Sequence, residues 1–328
     1  MSKTYIVTGA AGHLGSAIMR RLKEDGVKVR ALLSPSGRPT VTGERICCIN
    51  GSVCDPETLE PLFEGDDEFV VIHAAGVVSI AEKIPTALRL VNVEGTRNML
   101  NMCAGRRVAK FVYVSSVHAI PEVKKGGVIG ETASFLPEAV RGGYAKTKAE
   151  ASGLVLKAAE DGLDAVVVHP SGIIGPYDMG RNHIIQLVRD YMDGKIPAAV
   201  RGGYDFVDVR DAAWGCLAAA ENGRRGQCYI LSGHYLTIDE LLKLVSRYSG
   251  AKTVPALPLW AAGMAAPFIE AAAVAHGTRP LYTRYSLYTL GSNAVFSHEK
   301  ATRELGYAPR SAERTVRDMV KWIEENKI

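Results

Sequence analysis

Paired cysteines, metal-ligand clusters, blocks of one charge and strongly apolar runs of spanning length are all missing from this chain of 328 residues. Six cysteines occur, Cys47, Cys48, Cys54, Cys103, Cys216 and Cys228, but none forms C-x-x-C and no histidine cluster accompanies them. A disulfide framework and a zinc site are therefore not expected, no metal is called, and reduced thiols in a cytoplasmic compartment fit best. Basic residues are scattered, with nothing beyond short pairs such as Arg106-Arg107 and Lys124-Lys125, at a net charge of +4. Nucleic acid is thus not an expected partner. The start, MSKTYIVTGAAG, enters a strand-like run without a long apolar stretch, so no signal peptide is expected. Residues 259–275, LWAAGMAAPFIEAAAVA, are mostly apolar but contain Pro267, Glu270 and many alanines. A spanning helix needs about 20 strongly apolar residues, so this reads as a buried or lid helix, not a membrane element.

What is present is ordinary for a soluble globular protein: 47% apolar and 23% charged residues, in a length that suits one large domain or two modest ones. In the first half β-rich runs alternate with helical patterns. Strands are expected at 4–8, 27–33, 44–50, 68–75, 110–116 and 164–170, with helices near 13–25, 56–64, 86–104 and 143–161 between them. Buried β-branched runs separated by helices imply an α/β fold with a parallel sheet covered on both faces. The second half is less regular. Strand-like pieces lie near 206–209 and 227–233, and helices near 183–193, 211–222, 238–248, 259–275 and 312–326. Thr237 and Glu240 have capping-box spacing. No repeat or low-complexity tract appears.

After the first strand comes TGAAGHLG (8–15), in which Gly9, Gly12 and Gly15 have G-x-x-G-x-x-G spacing. Glycine permits the tight turn and lets backbone N–H groups approach a pyrophosphate. The following helix points its partial positive end at that anion, and Gly15 allows close helix–strand packing. A strand before and a helix after are the context such a motif requires. Tyr144 and Lys148, in YAKTK, lie four residues apart and share a helix face. A tyrosine with its ordinary pKa of about 10 is a poor base at pH 7, and a nearby ammonium lowers that value. A serine at the end of strand 110–116 can hydrogen-bond a substrate oxygen.

These motifs, in this order, resemble the extended short-chain dehydrogenase/reductase family. TGAAGHLG is similar to its T-G-x-x-G-x-x-G loop, VVIHAAG (70–76) to the segment beneath the adenosine, NVEGTRNML (92–100) to its N-V-x-G-T helix and FVYVSSV (111–117) to the strand that ends in its serine. YAKTK is similar to its Y-x-x-x-K and HPSGIIGP (169–176) to the segment that meets the nicotinamide; YDFVDVRDAA (204–213) and KATRELGYAP (300–309) resemble late family motifs. The resemblance implies a Rossmann-like, doubly wound parallel sheet with a smaller mixed C-terminal substrate-binding region. Residues 1–172 would form the dinucleotide-binding domain, with strands near 204–233 returning to it; 173–203 and 234–328 would bind substrate. It assigns catalysis to Ser116, Tyr144 and Lys148, with Ser115 a structural neighbour of Ser116. Cofactor contacts would come from Gly9, Gly12, His13, Leu14, Gly15, Ser34, Arg38, Ser52, Val53, Ala74, Ala75, Gly76, Tyr144, Lys148, Pro170 and Ile173. His118, His169 and Asn92 are read as packing, loop or bracing residues. The family often has Arg where His169 stands, and commonly Asp, holding the adenine amino group, where Ser52 stands.

An acidic residue at the end of the second strand marks NAD, and Leu33 and Ser34 occupy that place. NADP is therefore the preferred cofactor, with NAD the alternative and Ser34, Ser36 and Arg38 available to a 2′-phosphate. Three activities remain open: a reductase or dehydrogenase acting on a carbonyl/alcohol pair, a nucleotide-sugar epimerase or dehydratase with retained NAD, and a non-catalytic dinucleotide sensor. Tyr204 stands where many epimerases have an Arg, and SSVH (115–118) lacks the Thr-Asp-Glu of dehydratases. The resemblance is nearest to the dihydroflavonol-reductase-like and 3β-hydroxysteroid-dehydrogenase-like group, and the aromatic-rich segment 279–290 suits an apolar or ring-bearing substrate. The reductase reading is therefore the expectation, with a homodimer through the helices near 86–104 and 143–161 as relatives often form.

Overall fold

The structure is a computed structural model that describes residues 3–79, 86–124, 126–179, 182–264, 266 and 284–326. Its centre is a seven-stranded sheet built from the β-branched runs: β1 (Lys3–Thr8), β2 (Lys28–Leu33), β3 (Ile46–Asn50), β4 (Glu68–His73), β5 (Val108–Val114), β6 (Ala165–Pro170) and β10 (Cys228–Leu231). Every pairing within it is parallel, in the spatial order β10-β6-β5-β4-β1-β2-β3. Strand residues alternate between the faces. In β4, Val71 packs with the cluster that holds Met99, Ala149 and Val155, whereas Val70 and Ile72 pack with Leu14, Ile18 and Ala213. Helices α1 (His13–Glu24) and α6 (Val209–Asn222) therefore cover one face, and α3 (Gly95–Cys103) and α4 (Gly143–Glu160) the other. This is the Rossmann-like, doubly wound architecture. Strand order reverses between β1 and β4, and the crevice beyond their carboxyl ends is where such sheets bind ligands.

Two helices differ from the sequence expectation. Residues Pro56–Phe63 form a 3-10 helix with Pro61 inside it; proline's missing N–H removes an α-helical bond there. The helix expected over 86–104 is divided into α2 (Thr86–Arg89), a π-helical turn at Leu90–Glu94 and α3. Thr96 Oγ1 donates to the Asn92 carbonyl at 2.8 Å, a side-chain donor supplied where the turn widens.

The later strands part ways. β10 joins the large sheet beside β6, but β9 (Gly203–Asp208) is the middle strand of a small mixed sheet, parallel to β7 (Gly172–Ile174) and antiparallel to β11 (His234–Thr237). A further short pair joins β8 (Ala199–Val200) and β12 (Ala256–Leu257). Helices α5 (His183–Met192) and α7 (Ile238–Ser249) follow, and α7 opens on the Thr237–Glu240 capping box. Asp208, Arg210 and Asp211 of the first late motif are spent on structure. Buried Asp208 accepts from Arg210 Nη2 at 2.7 Å, Arg210 Nη1 reaches Asp318 at 2.8 Å, and Arg310 donates to Asp211 at 2.7 Å. These pairs tie α6 to the C-terminal helix Ala312–Asn326.

Residues 259–264 are helical; most of 265–283, including the start of the aromatic segment at 279, lies outside the described residues. No helix among the described residues is long and apolar enough to cross a membrane, and none of their His, Cys, Asp and Glu side chains group as a metal site. Gly15 meets the turn after β1 so closely that a Cβ there would stand 2.0 Å from the Gly9 carbonyl oxygen. Gly15→Ala is expected to lower unfolding free energy by about 1–3 kcal/mol, read from urea denaturation; an unchanged midpoint would contradict this packing.

Candidate active site

The turn after β1 needs Gly9. Its φ is +69°, and a Cβ would stand 2.7 Å from the carbonyl carbon and oxygen of Ala74 at the end of β4. Thr8 Oγ1 accepts from the Ala75 N–H at 3.1 Å and bonds His73 Nδ1 at 2.7 Å, clasping the two strand ends. Gly12 caps α1 without any side-chain hydrogen bond, and no acidic residue stands in the first turn. The helix therefore presents its N–H groups and partial positive charge to the crevice, which fits a pyrophosphate. Leu14 is buried in the core, so only its backbone faces the turn. The His13 ring is turned to the Pro176 carbonyl, at 2.8 Å, and joins the loop to the segment after β6. Burial holds it below the usual histidine pKa.

Ser34 and Arg38 are exposed in a tight turn at the end of β2, closed by the Gly37 N–H to Ser34 carbonyl bond at 2.7 Å. Ser52, just beyond β3, accepts the Cys54 N–H on its Oγ at 3.1 Å. The Val53 carbonyl is engaged by Asn98 Nδ2 at 2.9 Å and its side chain packs against Gly95, so Val53 offers an apolar wall. Ile173 lies on β7, where its carbonyl holds Asn182 Nδ2 at 2.8 Å, and Pro170 closes β6. All these positions lie at or beyond the carboxyl ends of the sheet strands.

Ser116, Tyr144 and Lys148 come together between β4, β5 and the start of α4. Gly142, at φ +96°, turns the chain into α4. Lys148, one turn after Tyr144, is buried; its Nζ donates to the Val114 carbonyl at 2.7 Å and stands 4.8 Å above the Tyr113 ring. A Cβ on Gly76 would reach within 3.2 Å of that Nζ. The Ser116 hydroxyl accepts the His118 N–H at 3.2 Å and lies near enough to the Tyr144 phenol to draw its pKa down. Ser115 turns inward to Ser152 Oγ, at 2.8 Å.

The electrostatics reverse one expectation. Burial raises the Tyr144 pKa to about 12 against the lowering influence of Ser116, and lowers that of Lys148 to about 7. The ammonium is aimed at Val114 rather than at the phenol, so it does not draw the phenol towards ionisation. Tyr144 thus holds its proton at neutral pH, as a donor should.

Asn92 does more than cap. Its Oδ1 accepts the Val77 N–H at 2.8 Å, and its Nδ2 donates to the Val77 carbonyl at 3.0 Å and to Thr147 Oγ1 at 3.1 Å. It braces the loop beyond Gly76 against α4. Beside Tyr144 lies a cavity of about 270 Å³. His118, Tyr204, Tyr285, Tyr288 and Phe296 line it with the aliphatic side chains of Ile120, Ile129 and Val140 and the charged side chains of Glu122, Glu138 and Arg141. His118 Nε2 bonds Tyr204 Oη at 3.0 Å, the rings stack at 5.3 Å, and burial holds the imidazole neutral with a pKa of about 4. Tyr285 lies on the backbone of Gly142, where a Cβ would meet its ring at 2.5 Å, and its hydroxyl donates to the Arg141 carbonyl at 3.0 Å. The aromatic segment signalled Tyr285 and Tyr288; Tyr204 and Gly142 carried no signal beyond their motifs.

The sequence model of the NAD dependent epimerase/dehydratase family matches residues 5–232. The chain belongs to that family. It is an enzyme of the extended short-chain dehydrogenase/reductase type, in a family that binds nicotinamide dinucleotides, with reductase and dehydrogenase relatives. It is 32% identical to the 4-hydroxy-2-methyl-3-oxo-4-farnesyl-3,4-dihydroquinoline-1-oxide ketoreductase of Stigmatella aurantiaca, over 93% of this chain and 91% of that one. It is 30% identical to 3 beta-hydroxysteroid dehydrogenase type 7 of Homo sapiens, over 93% and 91%. The solved structure of gox2253 superposes with a TM-score of 0.84 at 33% identity, covering 98% of each chain.

Lys148 titrates near 10.5 when unfolded and near 7 when folded. Between those values the unfolded chain binds the extra proton, so stability rises with pH. Wild type is expected to gain stability relative to Lys148→Met from pH 7 to pH 10.5 in urea denaturation; a flat or falling difference would contradict the buried amine.

Proposed function

We propose that the protein is an NADPH-dependent carbonyl reductase for ketones on one or two rings. The observation that carries this reading is a protonated phenol, Tyr144, near Ser116 and beside His118, whose ring lines a small cavity with several aromatic walls. The residues of the switch-point crevice fit the dinucleotide: the open end of α1 with Gly9 and Gly12 for the pyrophosphate, Val53 and Ser52 for the adenine, Ala74 to Gly76 and Lys148 for the ribose side, Pro170 and Ile173 for the nicotinamide. When bound, the nicotinamide supplies the hydride to the carbonyl carbon. Ser116, whose Oγ already accepts from His118, keeps its own proton to donate to the carbonyl oxygen. Tyr144 gives that oxygen its proton as negative charge develops, and is reprotonated from solvent. Lys148 stands nearby as a buried amine, its pKa lowered to about 7 and its Nζ held by the Val114 carbonyl.

Three features favour reduction over sugar-nucleotide chemistry. The cavity of about 270 Å³ is at the small end of ligand sites. Tyr204, at the position where many epimerases have an Arg, is committed to His118, so that position offers a phenol in place of a guanidinium, and the one Arg among the cavity's lining residues is Arg141. The ketoreductase and hydroxysteroid dehydrogenase relatives act, by name, on ring compounds. We propose residues 1–172 with β10 as the cofactor-binding part and 173–203 with 234–328 as the substrate-binding part. For the cofactor form, Ser34 and Arg38 without a carboxylate at the end of β2 favour the 2′-phosphate.

With NADPH and a panel that includes cyclohexanone and α-tetralone, Tyr144→Phe is expected to lower kcat by about 10²–10⁴-fold and to leave NADPH affinity within about twofold. Retained turnover would refute the assignment. NADPH is expected to bind more tightly than NADH, with Arg38→Ala narrowing the difference about tenfold; titration calorimetry showing a preference for NADH would refute the assignment of the 2′-phosphate site.

A further inference from the structure

We propose that His169 is a positioning residue for Ser116, holding the serine's main chain so that its hydroxyl meets the substrate oxygen. The proposal rests on the role given to Ser116 above.

His169 is the next-to-last residue of β6. The last ladder bond between β5 and β6 runs from the Ser115 N–H to the Val168 carbonyl, at 2.8 Å. Pro170 follows and has no N–H, so the ladder ends there. The His169 side chain takes over: its Nδ1 lies 3.0 Å from the Ser116 carbonyl oxygen. A carbonyl only accepts, so Nδ1 carries the hydrogen and the tautomer is fixed. The ring is wholly buried and stacks on Phe135 at 5.3 Å and 21°. Among the described residues its buried Nε2 has no hydrogen-bond partner, and burial holds the ring neutral with a pKa of about 4.

An orphaned buried Nε2 costs stability. An aliphatic side chain would fill the same space without that cost, so what histidine adds is the Nδ1–H bond to Ser116. The same residue presents its Oγ to Tyr144 and to the His118 N–H. Turning the peptide at Ser116 would therefore move the hydroxyl away from the reacting oxygen.

The test measures kcat and KM with NADPH and α-tetralone. His169→Leu, which keeps bulk and loses the donor, is expected to lower kcat about 10–100-fold, with KM and NADPH affinity within about twofold. His169→Asn, whose amide nitrogen can take the place of Nδ1, is expected to stay within about threefold of wild type. The Ser116→Ala/His169→Leu double variant should be no slower than Ser116→Ala alone, since both remove one function. Loss in the Asn variant equal to that in Leu, or losses that multiply in the double variant, would overturn the proposal. If Leu fails to fold, the Asn variant decides by itself: a retained rate supports the donor, a lost rate overturns it. Full activity in Ser116→Ala would overturn the role of Ser116 itself, an outcome distinct from a slow Ser116→Ala whose losses multiply with those at His169.

Discussion

The bond from Lys148 Nζ to the Val114 carbonyl is the constraint on which the site depends. It ties helix α4 to the end of strand β5 with a buried amine. Everything near it is arranged to tolerate that amine. Gly76 has no side chain to collide with it, the Tyr113 ring lies under it, and Asn92 holds the Val77 main chain clear. With the helix so fixed, Tyr144, one turn earlier, stands opposite Ser116. The desolvation that depresses Lys148 also raises Tyr144, so both groups favour their uncharged forms in the same pocket. A phenol that keeps its proton is matched for delivering it to an oxygen.

The two halves of the chain meet at this point by close backbone approach more than by charge. Gly9 lies against Ala74, which brings the phosphate loop to β4. His13 reaches across to Pro176, so the loop also grips the segment leading into the substrate region. Tyr285, from near the end of the chain, rests on Gly142, immediately before the helix that carries Tyr144 and Lys148. The wall of the substrate cavity is thereby keyed to the same turn that aims the phenol.

Much of this was legible in the sequence. Alternating buried runs and helical patterns gave the sheet and its covering helices, because burial on both faces imposes continuous β-branched strands. Ser116, Tyr144 and Lys148 were legible from motif order, and Ser115 from its neighbour. The π-helical turn at Leu90–Glu94 was not, since an extra residue in a helix leaves no mark on apolar periodicity. The placing of Gly203–Asp208 in a second sheet was equally hidden, because strand patterns do not name their partners. The direction of the Tyr144 shift depended on its burial by other elements, and on an amine that points away from the phenol. A carbonyl on another element aims that amine, and no spacing encodes it.

The account's central claim is net carbonyl reduction by an exchangeable cofactor. Its most direct test is to incubate the enzyme with a ring ketone and NADPH deuterated at the transferring position of C4, then weigh the alcohol by mass spectrometry. Deuterium on the carbinol carbon, with NADP⁺ released in equal amount, is the predicted result. An unlabelled product, with NAD that stays bound through purification and no consumption of added NADPH, would contradict it.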